Sequence, residues 1–404
     1  MAAENRALSS FPMTDGFVYL SGRSKLATGA GVAKRTLAGE LRALNVRRPV
    51  LVMGGRSAHG AAAAAVREAL FGAALREFAG VPQHSSVATV DAVAHLAREH
   101  DADGFVAVGG GSASDTAKAA AILLAEGGPL EQHANVFTPP DRYDQRTLPH
   151  AKLPIVAVPT TLSAAEVTPG LGVRDVHGHK LLFWDVQLVP RLILLDPDAC
   201  ADVPADVLLT TGMNALAHCV EGLYSRSRNP ISEGLALQGL RLLDAALRAV
   251  RSTAEDDDTP ERSSARLDAL VGAHVSGLVI SNARVGIHHG TCHVLGALGG
   301  LPHGVANSVM LPHAIRYNRE VAAGPLKLAA HAFGCERDDG ESVARHVEGL
   351  QRAIGVAHRL RDTGLDRALL PAIAKQAMGD RGLYFNPRRA ESAAEVEALL
   401  ESAW

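Results

Sequence analysis

The sequence is poor in cysteine and in aromatic residues, and neither sign of charge dominates it. Four cysteines lie scattered over 404 residues with no C-x-x-C pair, which argues against a disulfide framework and against a thiolate zinc site. The formal net charge of -3 gives no electrostatic reason to expect nucleic acid or an anionic membrane as partner. Apolar runs stop well short of the ~20 residues that span a bilayer, and the first sixteen residues lack the pattern of a secretory signal. We therefore expect a cytoplasmic protein.

A chain of this length exceeds the size at which one hydrophobic core keeps growing, so we expect two domains. In the first half, short apolar runs that end in glycine or proline alternate with helical patterns, which predicts a parallel sheet covered on both faces. The runs that we interpret as buried strands are residues 49–53, 104–108 and 153–159. From about residue 203 onward the periodicity is helical only. The prediction is an α/β domain over residues 1–200, an all-α domain over residues 201–404, and a cleft between them.

Some local predictions are less regular. We predict a short strand at residues 17–20, a helix over residues 61–78, and an edge hairpin made by residues 181–183 and 192–195. Periodicity is lost over residues 125–152, which are rich in proline and charge, so we predict an inserted surface loop or lid there.

A glycine-rich turn follows the strand at residues 104–108. Gly109, Gly110, Gly111 and Ser112 lead directly into a helix, and backbone N–H groups at such a turn bind phosphate. Thr160 and Thr161 follow another strand on the same side of the sheet. These residues predict a dinucleotide site, although a structural turn and helix capping are alternatives.

Histidine is concentrated in one stretch. His288, His289, His293 and His303 lie within sixteen residues, and His289 and His293 share a helix face. Clustered imidazoles either hold a metal or move protons at neutral pH. Upstream, Asn214 and His218 also stand four residues apart, but the amide of Asn214 supplies no negative charge to a cation. We interpret Cys292, inside the stretch, as a small buried hydrophobe rather than a nucleophile.

Four motifs in this order resemble the iron-containing (group III) alcohol dehydrogenases, and within that superfamily the maleylacetate reductase branch. The motifs span residues 109–118, 158–161, 212–218 and 289–304. The resemblance implies the dehydroquinate synthase-like fold, with a dinucleotide-binding domain, a helical domain, and hydride transfer from NADH or NADPH in the cleft. It also implies a homodimer and a small-molecule substrate, here one that carries a carboxylate.

Site residues follow from the resemblance, position by position. The metal ligands, for iron or zinc, would be Asn214, His218, His289 and His303, with asparagine where the family has aspartate. Maleylacetate reductases similarly lack that aspartate and are thought to work without a metal, whereas Gly290 replaces a lysine that they usually carry. The cofactor would contact Gly109, Gly110, Gly111, Ser112, Asp115, Thr160, Thr161, Leu162 and Lys180. His293 and Lys180 would relay the proton, while His218 and His289 would polarise the substrate carbonyl.

Three functions remain open from the sequence. The first is reduction of a carbonyl or enone-type oxo acid, and the second is a metal-dependent alcohol or aldehyde dehydrogenase. The third is a non-redox lyase or nucleotide-binding protein on the same scaffold. Arg56 and Ser57, after the strand at residues 49–53, would suit a 2′-phosphate and so tolerate NADPH. The candidates for binding a substrate carboxylate are Arg226, Arg228, Arg284 and Arg316.

Overall fold

The computed structural model of the protein describes residues 17–22, 24–139, 142–254 and 259–404. The leader, for which the sequence predicts no secretory signal, lies outside these ranges. Within them the strands are β1 (Lys25–Thr28), β2 (Pro49–Gly54), β3 (Arg76–Val81), β4 (Gly104–Gly109), β5 (Val136–Thr138), β6 (Arg142–Asp144), β7 (Ile155–Pro159), β8 (Gly170–Arg174), β9 (Lys180–Trp184) and β10 (Leu192–Leu195).

The α-helices of the described residues divide between the two halves of the chain. They are α1 (Val32–Ala43), α2 (Ala61–Ala69), α3 (Val87–Glu99), α4 (Gly111–Glu126), α5 (Ala205–Tyr224), α6 (Pro230–Ser252), α7 (Pro260–Ala283), α8 (Ile287–Ala297), α9 (His303–Asn318), α10 (Ala323–Phe333), α11 (Gly340–Ile354), α12 (Leu370–Ala377), α13 (Gly382–Phe385) and α14 (Ala393–Ser402). None of them alone is long and apolar enough to cross a membrane, and only the bent pair of α7 and α8 reaches that length and composition jointly.

Six strands form one parallel sheet in the order β1-β10-β7-β4-β2-β3. Strands β4, β7 and β10 are buried along their whole length because their apolar runs face helices on both sides. Gly109 at the end of β4 is in register with Pro159 at the end of β7. The glycine turn and the threonine turn therefore lie side by side at the carboxyl edge of the sheet, where open α/β sheets bind ligands. The predicted α/β domain followed by a helical domain is confirmed.

Two helical or strand predictions near the N-terminus are wrong. Residues 17–20 form no strand. The helix predicted over residues 61–78 ends at Ala69, and Phe78 lies in β3 instead. Gly72 has a φ of 81°, which breaks the helix, and β3 is an edge strand with mostly exposed residues, so it carries little apolar signal.

The predicted hairpin of residues 181–183 and 192–195 is also wrong. Strand β9 pairs antiparallel with β8 across a turn at Gly178, whose φ is 85°. Strand β10 instead joins the main sheet between β1 and β7. All four of its residues are buried, as expected for an interior strand and not for an edge.

Helix α5 connects the sheet to the helical half. Every residue from Gly212 to Tyr224 is buried. Its core cluster includes Leu162 and Ile193 from the first half together with residues of α6 and α7. The last strand of the sheet ends at Leu195 and α5 begins at Ala205, so the predicted boundary near residue 200 remains our proposal for the domain division.

The loss of periodicity over residues 125–152 suggested a structureless insertion, but the insertion contains regular structure. It contains the antiparallel hairpin of β5 and β6. The N–H of Asn135 donates to the carbonyl of Leu182 in β9 at 2.7 Å, and the N–H of Arg146 donates to Asn135 Oδ1 at 2.8 Å. The hairpin is thereby attached to β9.

Candidate active site

One face of α5 carries three polar side chains into the interior. Asn214, His218 and Glu221 follow one another at spacings of four and three residues, so they lie on one side of the helix. They are 4%, 4% and 0% exposed, respectively. Buried polar groups need partners, and the partners of these three define the site.

The protonation of His218 is set by Ser276. The Ser276 hydroxyl donates its only hydrogen to the Ala273 carbonyl at 2.8 Å, so its oxygen must accept from His218 Nδ1 at 3.3 Å. The neutral ring therefore carries its hydrogen on Nδ1 and leaves the Nε2 lone pair unprotonated. This tautomer is the one that lets a histidine bind a metal through Nε2.

Glu221 fixes His289 in the same way. Its Oε1 accepts the N–H groups of Gly286 at 2.9 Å and of His288 at 3.1 Å, at the start of α8. Its Oε2 accepts the Nδ1–H of His289. Burial would raise the pKa of Glu221, but its contacts with His289 and His288 hold that pKa below the ordinary value. The His289 Nε2 lone pair then points to Asn214 Oδ1, 3.1 Å away.

Two acceptors thus face each other in the interior. The orientation of the Asn214 amide is set by its Nδ2, which donates to the Ser163 carbonyl at 3.4 Å. Neighbouring ligands of a divalent cation with bonds of about 2.1 Å lie roughly 3.0–3.4 Å apart. The 3.1 Å separation between Asn214 Oδ1 and His289 Nε2 matches that spacing. The donor set fits a divalent cation, although it contributes no charge.

His303 completes the group. Its ring centroid lies 5.8 Å from that of His289, and the His289 ring stacks on His218 at 4.8 Å. Within the described residues, neither ring nitrogen of His303 makes a hydrogen bond. Burial lowers the pKa of His289 to about 4 and those of His218 and His303 well below 6.5. All three imidazoles are therefore neutral at neutral pH, as cation binding requires.

A second group of potential ligand atoms lies behind this one. Atoms of Glu221, His288 and His289 approach within 4.8 Å of one another. They are already committed, however, because Glu221 accepts from His289 and from two backbone N–H groups, and His288 Nε2 bonds the Asn307 carbonyl at 3.0 Å. We regard these residues as the support that orients His289 rather than as a separate cation site.

His293 is oriented by a carboxylate that sequence reasoning missed. Its Nδ1–H donates to Asp380 Oδ2 at 2.8 Å, while Asp380 Oδ1 accepts the N–H of Gly382 at 2.7 Å. The His293 ring stacks at 5.8 Å on His303. Burial and then the charge of Lys180 lower the pKa of His293, and Asp380 opposes them. Asp380 lies 87 residues downstream in a short segment with no periodic pattern, so the sequence offered no local signal for it.

Lys180 lies at the start of β9, solvent-accessible but inside the cleft. The surrounding protein atoms disfavour its charge and lower its pKa, while Asp115 and Asp380 partly compensate. Asp115 Oδ2 also accepts the N–H of Gly172 in β8 at 3.1 Å. Asp115 therefore holds the β8–β9 hairpin against α4.

The glycine turn closely approaches the threonine turn. Gly109 has a φ of 137°, and a Cβ on Gly110 would lie 3.3 Å from Thr161. The N–H groups that begin the 16-residue helix α4 are thus presented at the sheet edge. Leu162 differs from its neighbours, because its side chain is in the core and its N–H donates to Thr211 Oγ1 at 3.1 Å. Neither the side chain nor the N–H group of Leu162 faces the glycine turn.

The four arginine candidates are not equivalent. Arg316 is paired with Glu341 at 2.9 Å and with Glu348 at 2.5 Å. Arg226 is exposed beside Tyr384, and Arg228 lies near Glu233. Arg284 alone of the four stacks on Trp184 at the end of β9, with its guanidinium carbon 3.6 Å from the ring centroid.

Comparison with known proteins gives consistent matches over the chain. The family described as "Iron-containing alcohol dehydrogenase" matches residues 24–197, and "Fe-containing alcohol dehydrogenase family, C-terminal" matches residues 208–404. A maleylacetate reductase of Sphingobium indicum is 33% identical over 77% of this chain and 77% of its own length. A lactaldehyde reductase of Escherichia coli is 30% identical over 80% and 83%. The crystal structure of maleylacetate reductase from Agrobacterium tumefaciens superposes with a TM-score of 0.79 at 27% identity, covering 97% of this chain and 99% of that one.

Proposed function

Since the chain belongs to the iron-containing alcohol dehydrogenase family, whose members are NAD(P)-dependent oxidoreductases acting on alcohols and carbonyls, we propose that it reduces a small oxo acid. The reacting group is a ketone or an enone, in which a C=C bond is conjugated to the ketone, as in maleylacetate. Family membership favours this function over the non-redox alternatives. The relatives are named for different substrates, so we base the choice of an oxo acid on the site.

The observation that carries the proposal is the pair of His293 and Asp380. With Nδ1–H committed to Asp380 at 2.8 Å, Nε2 is the atom that can carry a second proton toward the cleft. Asp380 stabilises the resulting imidazolium. During reduction, Nε2 delivers that proton to the carbonyl oxygen as negative charge develops there, a contribution typically worth ~100- to 10,000-fold in rate. Lys180, whose pKa is lowered, stands nearby to restore the proton.

The residues at the sheet edge suit a dinucleotide. Gly109, Gly110 and Gly111 leave room for a pyrophosphate above the first turn of α4, and Thr161 borders it. NADH or NADPH bound there would supply the hydride. Ser57 lies beside Gly109, and with Arg56 it provides donors for a 2′-phosphate, so we propose that NADPH is accepted.

A metal-dependent alcohol or aldehyde dehydrogenase is the second candidate. It is favoured by the facing lone pairs of Asn214 Oδ1 and His289 Nε2, 3.1 Å apart. Asn214, His218, His289 and His303 would hold iron or zinc, which would act as a Lewis acid on the substrate oxygen. Without a cation, the same imidazoles line the carbonyl-binding face.

We further propose that the protein acts in the cytoplasm as a homodimer, without nucleic-acid or membrane partners. The cysteines of the described residues are free, in keeping with a reducing compartment. Within the described residues strand β1 pairs with β10 alone, so we propose its outer edge as the place where a second copy adds.

The test is oxidation of NADH and NADPH by purified protein across 4-oxo acids, their neutral ketone counterparts, aldehydes and alcohols, with metal content measured in parallel. Turnover of oxo acids after removal of metal by a chelator supports the first function. Activity confined to alcohols or aldehydes and lost with the metal supports the second. Cofactor binding without turnover of any of these compounds would contradict both.

A further inference from the structure

Two guanidinium groups in the cleft have no role in the chemistry described above. Arg284 follows the last residue of α7, and Arg381 follows Asp380. Neither forms an ion pair with a carboxylate within the described residues. Both arginines are half-buried, and withdrawing a guanidinium charge from water is unfavourable unless an anion pairs with it.

Arg284 is held in a strained backbone conformation. Its φ of 70° and ψ of 162° fall in a region that is essentially restricted to glycine. Residues in such conformations concentrate at ligand-binding positions, where the surroundings force the geometry. Here the strain turns the chain at the end of α7 so that the guanidinium stacks 3.6 Å above the Trp184 ring. Glycine would satisfy this backbone without strain, so the arginine side chain is the reason to look for a ligand.

Arg381 contacts the insertion. Its Nη1 donates to the Tyr143 hydroxyl at 2.9 Å, and Tyr143 belongs to β6 of the insertion. Burial and then the charge of Arg381 lower the pKa of Arg284 to about 10, so the two like charges are close enough to repel. Each of two like charges this close disfavours the other, and an anion bound between or beside them would favour both charged forms.

The carboxylates around this pair are already engaged. Asp380 accepts from His293 and from the Gly382 N–H, and Asp115 accepts from the Gly172 N–H. Arg381 is near enough to His293 to help lower the pKa of that ring after burial and Lys180 have done so. Arg381 is therefore beside the proton donor and shares the charge of Asp380 with His293, so Asp380 alone does not neutralise both guanidinium groups.

We propose that Arg284 and Arg381, with the Tyr143 hydroxyl, bind a carboxylate of the substrate at the end remote from the reacting carbonyl. This inference rests on the proposed reduction of an oxo acid and names the residues that make it selective. The guanidinium groups supply paired donors to the carboxylate oxygens. Tyr143 brings the insertion into the site, so the hairpin of β5 and β6 forms part of the binding surface.

The first experiment compares an oxo acid with its neutral ester or ketone counterpart. For Arg284→Gln and Arg381→Gln we expect the ratio of kcat/KM for the acid to kcat/KM for the neutral compound to fall about 10- to 100-fold, the range for losing a hydrogen bond to a charged group. This ratio cancels the effect of the Arg381 charge on the pKa of His293. Arg284→Gly removes the same guanidinium but relieves the backbone, so it should lose selectivity while unfolding at a temperature no lower than the unsubstituted protein. Arg388→Gln is the matched control, because this exposed arginine also stacks on a tyrosine, at 4.2 Å from the Tyr317 ring.

The second experiment measures binding without turnover. In a Trp404→Phe background, Trp184 is the only tryptophan, and its ring contacts Arg284. Titration with a saturating dicarboxylate such as succinate should change its fluorescence, and Arg284→Gln should weaken that binding about 10-fold or more. Binding without turnover would keep the subsite and reject the proposed reaction. No binding, or equal losses for acid and neutral compounds, would overturn the subsite.

Discussion

Replacing Asp380 with asparagine tests whether His293 is the proton donor. Asp380 Oδ1 accepts the Gly382 N–H at 2.7 Å, so the amide oxygen of asparagine would keep that bond and turn its NH2 group toward His293 Nδ1. A donor facing Nδ1 removes the hydrogen from that atom and destabilises the imidazolium. The substitution therefore changes which protons the His293 ring can hold while leaving the volume of the side chain at position 380 nearly unchanged.

The magnitude follows from the distance. Two unit charges 2.8 Å apart interact by about 6 kcal/mol at an effective dielectric constant of 20, which is an upper limit here. Because His293 and Asp380 are 20% and 14% exposed, solvent screens part of this. A loss of about 1–2 pKa units, or roughly 1.4–2.7 kcal/mol, agrees with the usual effect of one nearby opposite charge.

The assay is the pH dependence of kcat for reduction. The imidazolium is the acid, so the rate falls as pH rises through the pKa of His293, and Asp380→Asn should move that fall to lower pH by about 1–2 units. At neutral pH this is roughly a 10- to 100-fold loss that is partly recovered on acidification. Asp338→Asn is the control, since Asp338 forms a comparable 2.7 Å pair with His331 at the surface. An equal loss at every pH, or no loss, would refute the assignment of His293.

Three further outcomes are expected. Asn214→Asp adds the missing charge beside His289 Nε2 and should tighten zinc or iron binding at least ~10-fold in a competition with a chelating dye, whereas unchanged affinity would place the cation elsewhere. Lys118→Met should lower stability by roughly 3–5 kcal/mol in denaturant titration, because Lys118 donates to the carbonyls of Ala165, Thr168 and Gly170 at 2.6, 2.6 and 3.2 Å and faces Asp115 and Glu166. Burial raises the pKa of Glu166 from 4.5 to about 7, so the folded state binds more protons there than the unfolded state. The stabilisation from this Glu166 proton is on the order of 3 kcal/mol; it is present below about pH 4.5 and is lost as pH rises to about 7. Glu166→Gln should abolish this dependence of the free energy of unfolding on pH.

The sequence was sufficient wherever a residue's role follows from its neighbours along the chain. The apolar run ending at Gly109 predicted both the strand and the turn after it, and the spacing of Asn214 and His218 predicted a shared helix face that the structure contains. Helical and strand periodicities report burial, and these elements are among the most buried in the molecule. Family resemblance then connected them to His289 and His303.

Long-range pairing was not predictable by the same reasoning. Asp380 meets His293 only because the start of α13 packs against the start of α8, where a Cβ on Gly382 would lie 2.6 Å from the Gly286 carbonyl. Tyr143 lies in an insertion with no periodicity, and β3 is too exposed to show alternation. Glu221 is one turn beyond His218, but its role as the support of His289 depends on the fold and not on spacing.

Strand β9 bears Lys180 at one end and Trp184 at the other, and the insertion hangs from Leu182 between them. In our proposals, the proton relay and the carboxylate subsite therefore both depend on β9, although their other residues come from separate parts of the chain. This arrangement allows the hairpin of β5 and β6 to change in length or charge during evolution without changes to the glycine turn or the histidines. We expect hairpin grafts between relatives to transfer substrate preference as an interchangeable module, with cofactor preference inherited from the recipient.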